Sequence, residues 1–355
     1  MVRWVWRLVG ATVLIAALCW AQSRPLGAGP VWEDRWDWGP ETSPLGLRQL
    51  APWTLAHQAG QSPIAIRSVN LALHVVVGAL VYLLLCSVGA SEGAAWAGTA
   101  TFLLNAVATQ ALAYVVSGRA EMLAAAAVLA ACLLWIGRYR TLAIALLIVG
   151  LTAKQSAVVG VALLPLVVAA RARPGPSWAE AFEAARAGVW PVVRPLVRRP
   201  LLAVVTAVGL VLVVGGGAGN RLDPSYEVTW IAWAGTQAAA TYRLWTTSLV
   251  PIWPLAVDWD YRLPLPALVA CGAILAMTAV VGWHCWSSAP LLGLALLWPI
   301  IAVGPRLALQ TPHSELNEHQ WYLPMVGIAF LIAWAWEWLT RDEDWLWRTS
   351  EWRTG

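Results

Sequence analysis

From Ser68 to Cys86 the chain carries no Asp, Glu, Lys or Arg, and similar stretches recur almost to its end. No other feature narrows the fold so far. A charge-free run of that length is the mark of a helix crossing a bilayer. Only 12% of the 355 residues are charged and 59% are hydrophobic; a soluble domain carries about 25% charged residues. The chain cannot clothe so many apolar helices in a polar surface, so the expected fold is an all-α polytopic membrane protein. The net charge of +4 is spread thinly, and no basic tract suggests nucleic acid.

The apolar runs predict about ten spans. Arg3 and Arg7 precede the first, Leu8–Ala21, which reads either as a cleaved signal peptide or, since Ala21-Gln22-Ser23 is a poor cleavage site, as a retained span with the N-terminus inside. The others are Ser68–Cys86, Ala94–Leu112, Met122–Ile136, Thr141–Ala153, Ser156–Ala170, Leu201–Val214, Pro266–His284, Leu291–Ala308 and Trp321–Trp338. Thr141–Ala153 is shorter than the roughly 20 residues a span needs, so it must borrow neighbours or end in a protein-lined cavity. The arginines of residues 171–199 (Arg171, Arg173, Arg186, Arg194, Arg198, Arg199) mark the cytoplasmic side and set the orientation. Residues 1–340 then form one membrane domain, and residues 341–355 a short cytoplasmic tail. The expected location is a bacterial inner membrane, with both termini cytoplasmic. Cys19, Cys86, Cys132, Cys271 and Cys285 all lie in or beside apolar segments and read as packing residues rather than disulfide or metal partners.

This topology collects the chemistry on the outer face. The first outer loop, residues 22–66, holds Glu33, Asp34, Asp37 and Glu41, then a Trp- and Leu-bearing stretch suited to an interfacial helix. Segment 105–121 is expected at the outer surface and ends with Arg119 and Glu121, which could pair and snorkel there. Lys154 is the only lysine in the chain and stands between two apolar runs, where a cation is costly unless matched by an anion such as phosphate. The second outer region, residues 215–263, opens on Gly215-Gly216-Gly217, continues through an interfacial helix bearing Arg243, and closes on Asp258 and Asp260. His319 lies just before the last span.

Several of these segments, in order, resemble the membrane half of the transmembrane-and-tetratricopeptide-repeat (TMTC) family, a GT-C type glycosyltransferase related to protein O-mannosyltransferases. Gln49-Leu50-Ala51-Pro52 followed by Arg67-Ser68-Val69-Asn70-Leu71-Ala72-Leu73-His74 is similar to its "RPL … hxxNxxxHxxxA" passage. Val116-Ser117-Gly118-Arg119-Ala120-Glu121 resembles its "VSGRAE", and Ala153-Lys154-Gln155-Ser156 its "SKEQ". Thr236-Gln237 through Tyr242-Arg243, then Pro254 to Asp260, resembles "TQ … RYL … PxxLxxDxD", and Glu318 to Gly327 resembles "ERYLYLPSxG". Asn105-Ala106, Gln110, Gln155 and His319-Gln320 depart from the family pattern, and its C-terminal repeats have no counterpart here.

The resemblance implies a GT-C-like bundle and an inverting transferase. It would take a sugar from a polyprenyl-phosphate donor and pass it to an acceptor hydroxyl on the outer face. Asp34 would be the base with Glu33 beside it, and Lys154, Arg119 and Arg243 would hold the donor phosphate. Glu121, Asp258, Asp260 and His319 would support the acceptor or the structure. The implied partners are the lipid donor, a protein or lipid/glycan acceptor and the surrounding membrane lipids. No cofactor is expected; Glu33, Asp34 and Asp37 do not make a convincing divalent-metal set. Two other readings stand beside this one: a catalytically degenerate protein that binds lipid or a partner, and a transporter.

Overall fold

In the computed structural model, the residues described are 10–17, 63–114, 116–172, 265–286, 288–309 and 321–340, with Thr241, Trp245, Ser248 and Leu249. Among them the architecture is entirely helical, with no strand. Residues 10–17 are helical. Then follow α1 (Pro63–Ser87), α2 (Glu92–Leu104), α3 (Ala106–Ala113), α4 (Val116–Ile136) and α5 (Arg140–Ala153). A 3-10 turn, Gln155–Val159, leads into α6 (Gly160–Ala172); α7 (Leu265–Cys285), α8 (Pro290–Leu309) and α9 (Val326–Leu339) complete the set. Two stretches, Arg67–Ser87 of α1 and Gly118–Ile136 of α4, are long and apolar enough to cross a membrane. The apolar stretches of α5, α6, α7, α8 and α9 are shorter.

Contacts between helices close a ring in the order α4, α1, α2, α9, α8, α6 and back to α4, with α5 laid against α4 and α7 against α8. Large side chains fill it: Trp298, Trp321, Tyr322, Phe102 and Phe330 are fully buried. Trp298 Nε1 donates to the Leu323 carbonyl at 3.0 Å, tying α8 to the turn that precedes α9. At the other end of α9, Glu337 Oε1 accepts from the backbone N–H of Ser91, the N-cap of α2. By contrast α7 presents Val269, Met277 and Val280 away from the protein.

Three boundaries differ from the sequence expectation, each for a local reason. Helix α1 starts at Pro63, a turn before Ser68; proline suits a first helical position because its missing N–H would have had no partner there. The third apolar run is broken at Asn105, which ends α2 and begins α3. Its side-chain oxygen accepts from Val107 N–H at 2.9 Å, and its Nδ2 donates to the Ser248 carbonyl at 2.8 Å. Helix α4 starts at Val116 rather than Met122, so Arg119 and Glu121 stand on the first turns of a helix and not in a loop before it.

The turn from α4 to α5 has Arg138 in the left-handed region at φ 69°. Tyr139 N–H reaches back to the Leu134 carbonyl at 2.8 Å and Arg138 N–H to that of Trp135 at 3.0 Å, the hydrogen-bond pattern of a Schellman helix end. Cys86, Cys132, Cys271 and Cys285 are free thiols.

Candidate functional site

Helix α1 carries Arg67, Asn70 and His74 at positions i, i+3 and i+7, hence on one face. All three are buried. They form a polar stripe about 10 Å long at a rise of 1.5 Å per residue. An apolar bundle holds such a stripe only if each group finds a partner.

His74 sits deepest and finds two. In an unbroken helix, Val107 N–H would bond the Leu103 carbonyl. Asn105 has taken that N–H, and the released carbonyl accepts from His74 Nε2 at 3.1 Å. A carbonyl cannot donate, so the proton is on Nε2 and Nδ1 accepts from the Tyr322 hydroxyl at 2.7 Å. Phe102 packs against both rings, with centroids 5.5 Å from His74 and 5.3 Å from Tyr322. One imidazole thus joins α1, the helix break and the turn before α9. We predict that His74→Ala costs about 2–4 kcal/mol and Tyr322→Phe about 1–2 kcal/mol, because the first orphans two buried groups and the second only one. Reversible unfolding of the two variants in detergent checks this. Equal losses would mean that the Leu103 bond contributes nothing.

One turn up the stripe, Asn70 Nδ2 donates to the Tyr114 carbonyl at 3.3 Å, at the end of α3. That leaves Oδ1 to accept from Arg119 Nε at 2.7 Å. Arg119 is only 1% exposed. Gly118 makes its position reachable, because a side chain there would run into the Ala111 carbonyl oxygen, with the carbonyl carbon at 2.8 Å. Helices α3 and α4 therefore meet backbone to backbone.

Two residues beyond Arg119, Glu121 turns toward the junction of α5 and α6. Its Oε1 pairs with Lys154 Nζ at 2.9 Å, and its Oε2 accepts from Ser156 Oγ at 3.1 Å. The carboxylate is 1% exposed and the ammonium 23%. Lys154 has an extended backbone, φ −157° and ψ 143°, between the end of α5 and the 3-10 turn. The short fifth apolar run thus ends in a protein-lined polar cluster, one of the two outcomes its length allowed.

The structure brings three of the expected site residues, Arg119, Glu121 and Lys154, to the two broken helix junctions on either side of α4. Arg119 and Glu121 do not form a snorkelling pair: each is buried and has a different partner. Asp34, Glu33, Arg243, Asp258, Asp260 and His319 lie outside the described residues, as do the side chains of Gln110 and Gln155. Asn70, His74 and Ser156 join the site without having been singled out for a role, although all three stand in family-like segments. Among the described residues no three His, Cys, Asp or Glu side chains gather as a metal site. Compared with known protein families, curated proteins and solved structures, the chain matches none.

Proposed function

We propose that this chain is a GT-C-like membrane glycosyltransferase of about ten spans, working on a polyprenyl-phosphate sugar at the outer face of a bacterial inner membrane. The observation that carries this reading is the set of ionisable groups inside the bundle: Arg67 and Arg119 are buried, and Glu121, also buried, pairs with the partly exposed Lys154. Ionisable groups within an apolar bundle are costly and mark function. Helix α5 has 14 residues, or about 21 Å of length, against about 30 Å of hydrocarbon. Rising from the cytoplasmic side, it leaves Lys154 roughly 10 Å short of the outer boundary. A lipid phosphate can reach that depth from the membrane side while its prenyl tail stays in the bilayer.

In the proposed reaction Asp34 removes the proton from the acceptor hydroxyl as its oxygen attacks the anomeric carbon. The bond from that carbon to the phosphate oxygen breaks on the opposite face, and the phosphate leaves with the electron pair. Arg119 and Lys154 stabilise the charge that grows on it. Glu121 holds Lys154 before the donor arrives, and Arg243 is a third candidate for the phosphate.

The test is consumption of radiolabelled polyprenyl-phosphate hexose by protein in lipid, with a bacterial extract as source of acceptor. Wild type should release sugar; Asp34→Asn should lose roughly 10²–10⁴-fold in rate, and Lys154→Ala should fail to hold the donor. Binding without turnover would favour a degenerate lipid-binding protein. A second reading, transport, draws on one feature: α2/α3 and α5/α6 are interrupted helices with partly buried polar residues, Asn105 and Lys154, at their breaks, as in many transporters. Neither binding nor turnover, together with solute uptake into proteoliposomes, would favour it.

A further inference from the structure

The turn from α4 to α5 carries two charges that the fold itself does not use. Arg138 and Arg140 are both exposed, with Tyr139, 67% exposed, between them. Among the described residues neither guanidinium is ion-paired or hydrogen-bonded. That of Arg140 lies over the ring of buried Trp135, 5.7 Å from its centroid. Stacking uses the face of the guanidinium and leaves the N–H groups of its edge unspent. Arg138 holds the left-handed position that closes α4, where glycine is usual, although Gly137 stands directly before it. A long charged residue is disfavoured in that conformation, and no partner among the described residues offsets the cost. The helix dipole does not account for the pair either. A cation is favoured after the end of α4 but disfavoured at Arg140, the first residue of α5.

An apolar surface adjoins these charges. Leu142, Ala145 and Val149 follow at i, i+3 and i+7, with Ile148 beside them, and all four are exposed. The other side of α5, Ala143, Leu147, Gly150 and Ala153, is buried. An exposed apolar strip about 10 Å long thus runs on from the two arginines. The stretch Gly118–Ile136, just before the turn, is long and apolar enough to cross a bilayer. We propose that the α4–α5 turn binds the headgroup of an anionic phospholipid. Arg138 and Arg140 donate to its phosphate oxygens, Tyr139 stands at headgroup depth, and an acyl chain lies along Leu142, Ala145 and Val149. A zwitterionic lipid has the same chains and phosphate, but its own cation already answers the negative charge. The inference is independent of the transferase reading; it needs only that α4 cross a bilayer.

Phosphatidylglycerol is titrated into the full-length protein in non-ionic detergent, and the affinity of the first bound lipid is read by native mass spectrometry. Phosphatidylcholine with the same chains is the comparison. Arg138→Gly is the most telling variant, because glycine suits the left-handed position. It should melt no lower than wild type and yet bind phosphatidylglycerol about fivefold more weakly, the effect of one arginine at a membrane surface. Arg140→Gln leaves that backbone untouched and should lose a similar factor; the double variant should lose about 20-fold or more. Arg171→Gln is the control. Arg171 is also exposed, in the last turn of α6, and its loss should leave the affinity unchanged. If wild type binds phosphatidylcholine as tightly as phosphatidylglycerol, the turn recognises no anion and the proposal is overturned. It is overturned equally if the double variant binds as wild type does. A loss at Arg171→Gln as large as that at Arg138→Gly would reduce the effect to general surface charge and overturn it as well.

Discussion

Lys154→Met is expected to lower the unfolding free energy by about 3–5 kcal/mol, the cost of leaving a buried acid without its cation. Glu121 is 1% exposed, and its carboxylate also accepts from Ser156 Oγ at 3.1 Å. The reverse substitution is predicted to be milder. In Glu121→Gln the lysine, 23% exposed, can extend its stem toward the membrane interface, and the new amide still accepts from Ser156; the loss should be about 1–2 kcal/mol. In the double variant neither charge remains, and stability should return to near wild type, as when neutral groups replace a buried pair. A double-mutant cycle read by chemical denaturation in detergent measures the coupling. A pair that is only a surface contact would show equal, small losses and a coupling below about 1 kcal/mol.

The second large effect is expected at Gly118. A methyl group there overlaps the Ala111 carbonyl, a rigid backbone atom rather than a side chain able to turn aside. Gly118→Ala should therefore force α3 from α4 and cost about 3 kcal/mol. Arg119 would move with the helix start, so the proposed anion binding should fall along with stability. Gly272 in α7 is the control, because a side chain there meets nothing within 4 Å. Gly272→Ala should instead stabilise by up to about 1 kcal/mol, the ordinary helix preference of alanine. Melting curves of the two variants side by side decide it; equal shifts would sink the close-packing argument.

Much of the helical frame was legible because apolar runs and helix length speak directly to one another. Thr141–Ala153 and Arg140–Ala153 differ by one residue, and Pro266–His284 sits inside Leu265–Cys285. The break at Asn105 was not legible. No Gly or Pro marks it, and an asparagine within an apolar run gains an N-cap role only through the fold around it, here by bonding the Ser248 carbonyl. Lys154 was legible as a cation in need of an anion, but its partner was not: Glu121 lies 33 positions away, and periodicity carries no information about such pairs. Arg119 and Glu121 stand out together in sequence as if one unit. Two residues apart on a helix they face in different directions, and the fold sends one to α1 and the other to the α5–α6 junction.

The interruption at Asn105 also bears on how the chain is made. Its Nδ2 bonds a carbonyl 143 positions later, and the Tyr322 hydroxyl that serves His74 lies 248 positions later. At roughly 5–20 residues per second of synthesis, the first partner emerges about 7–30 s after Asn105 and the second about 12–50 s after His74. During that interval α1 and the end of α2 carry an imidazole and an amide that have yet to meet these partners. The nascent protein must be held, by the insertion machinery or by transient pairing among its own early helices, until the C-terminal third arrives. Truncation before Tyr322 is then a biogenesis defect as much as a loss of contacts: ribosomes stalled ahead of that point should carry chains that proteases clear while wild type persists.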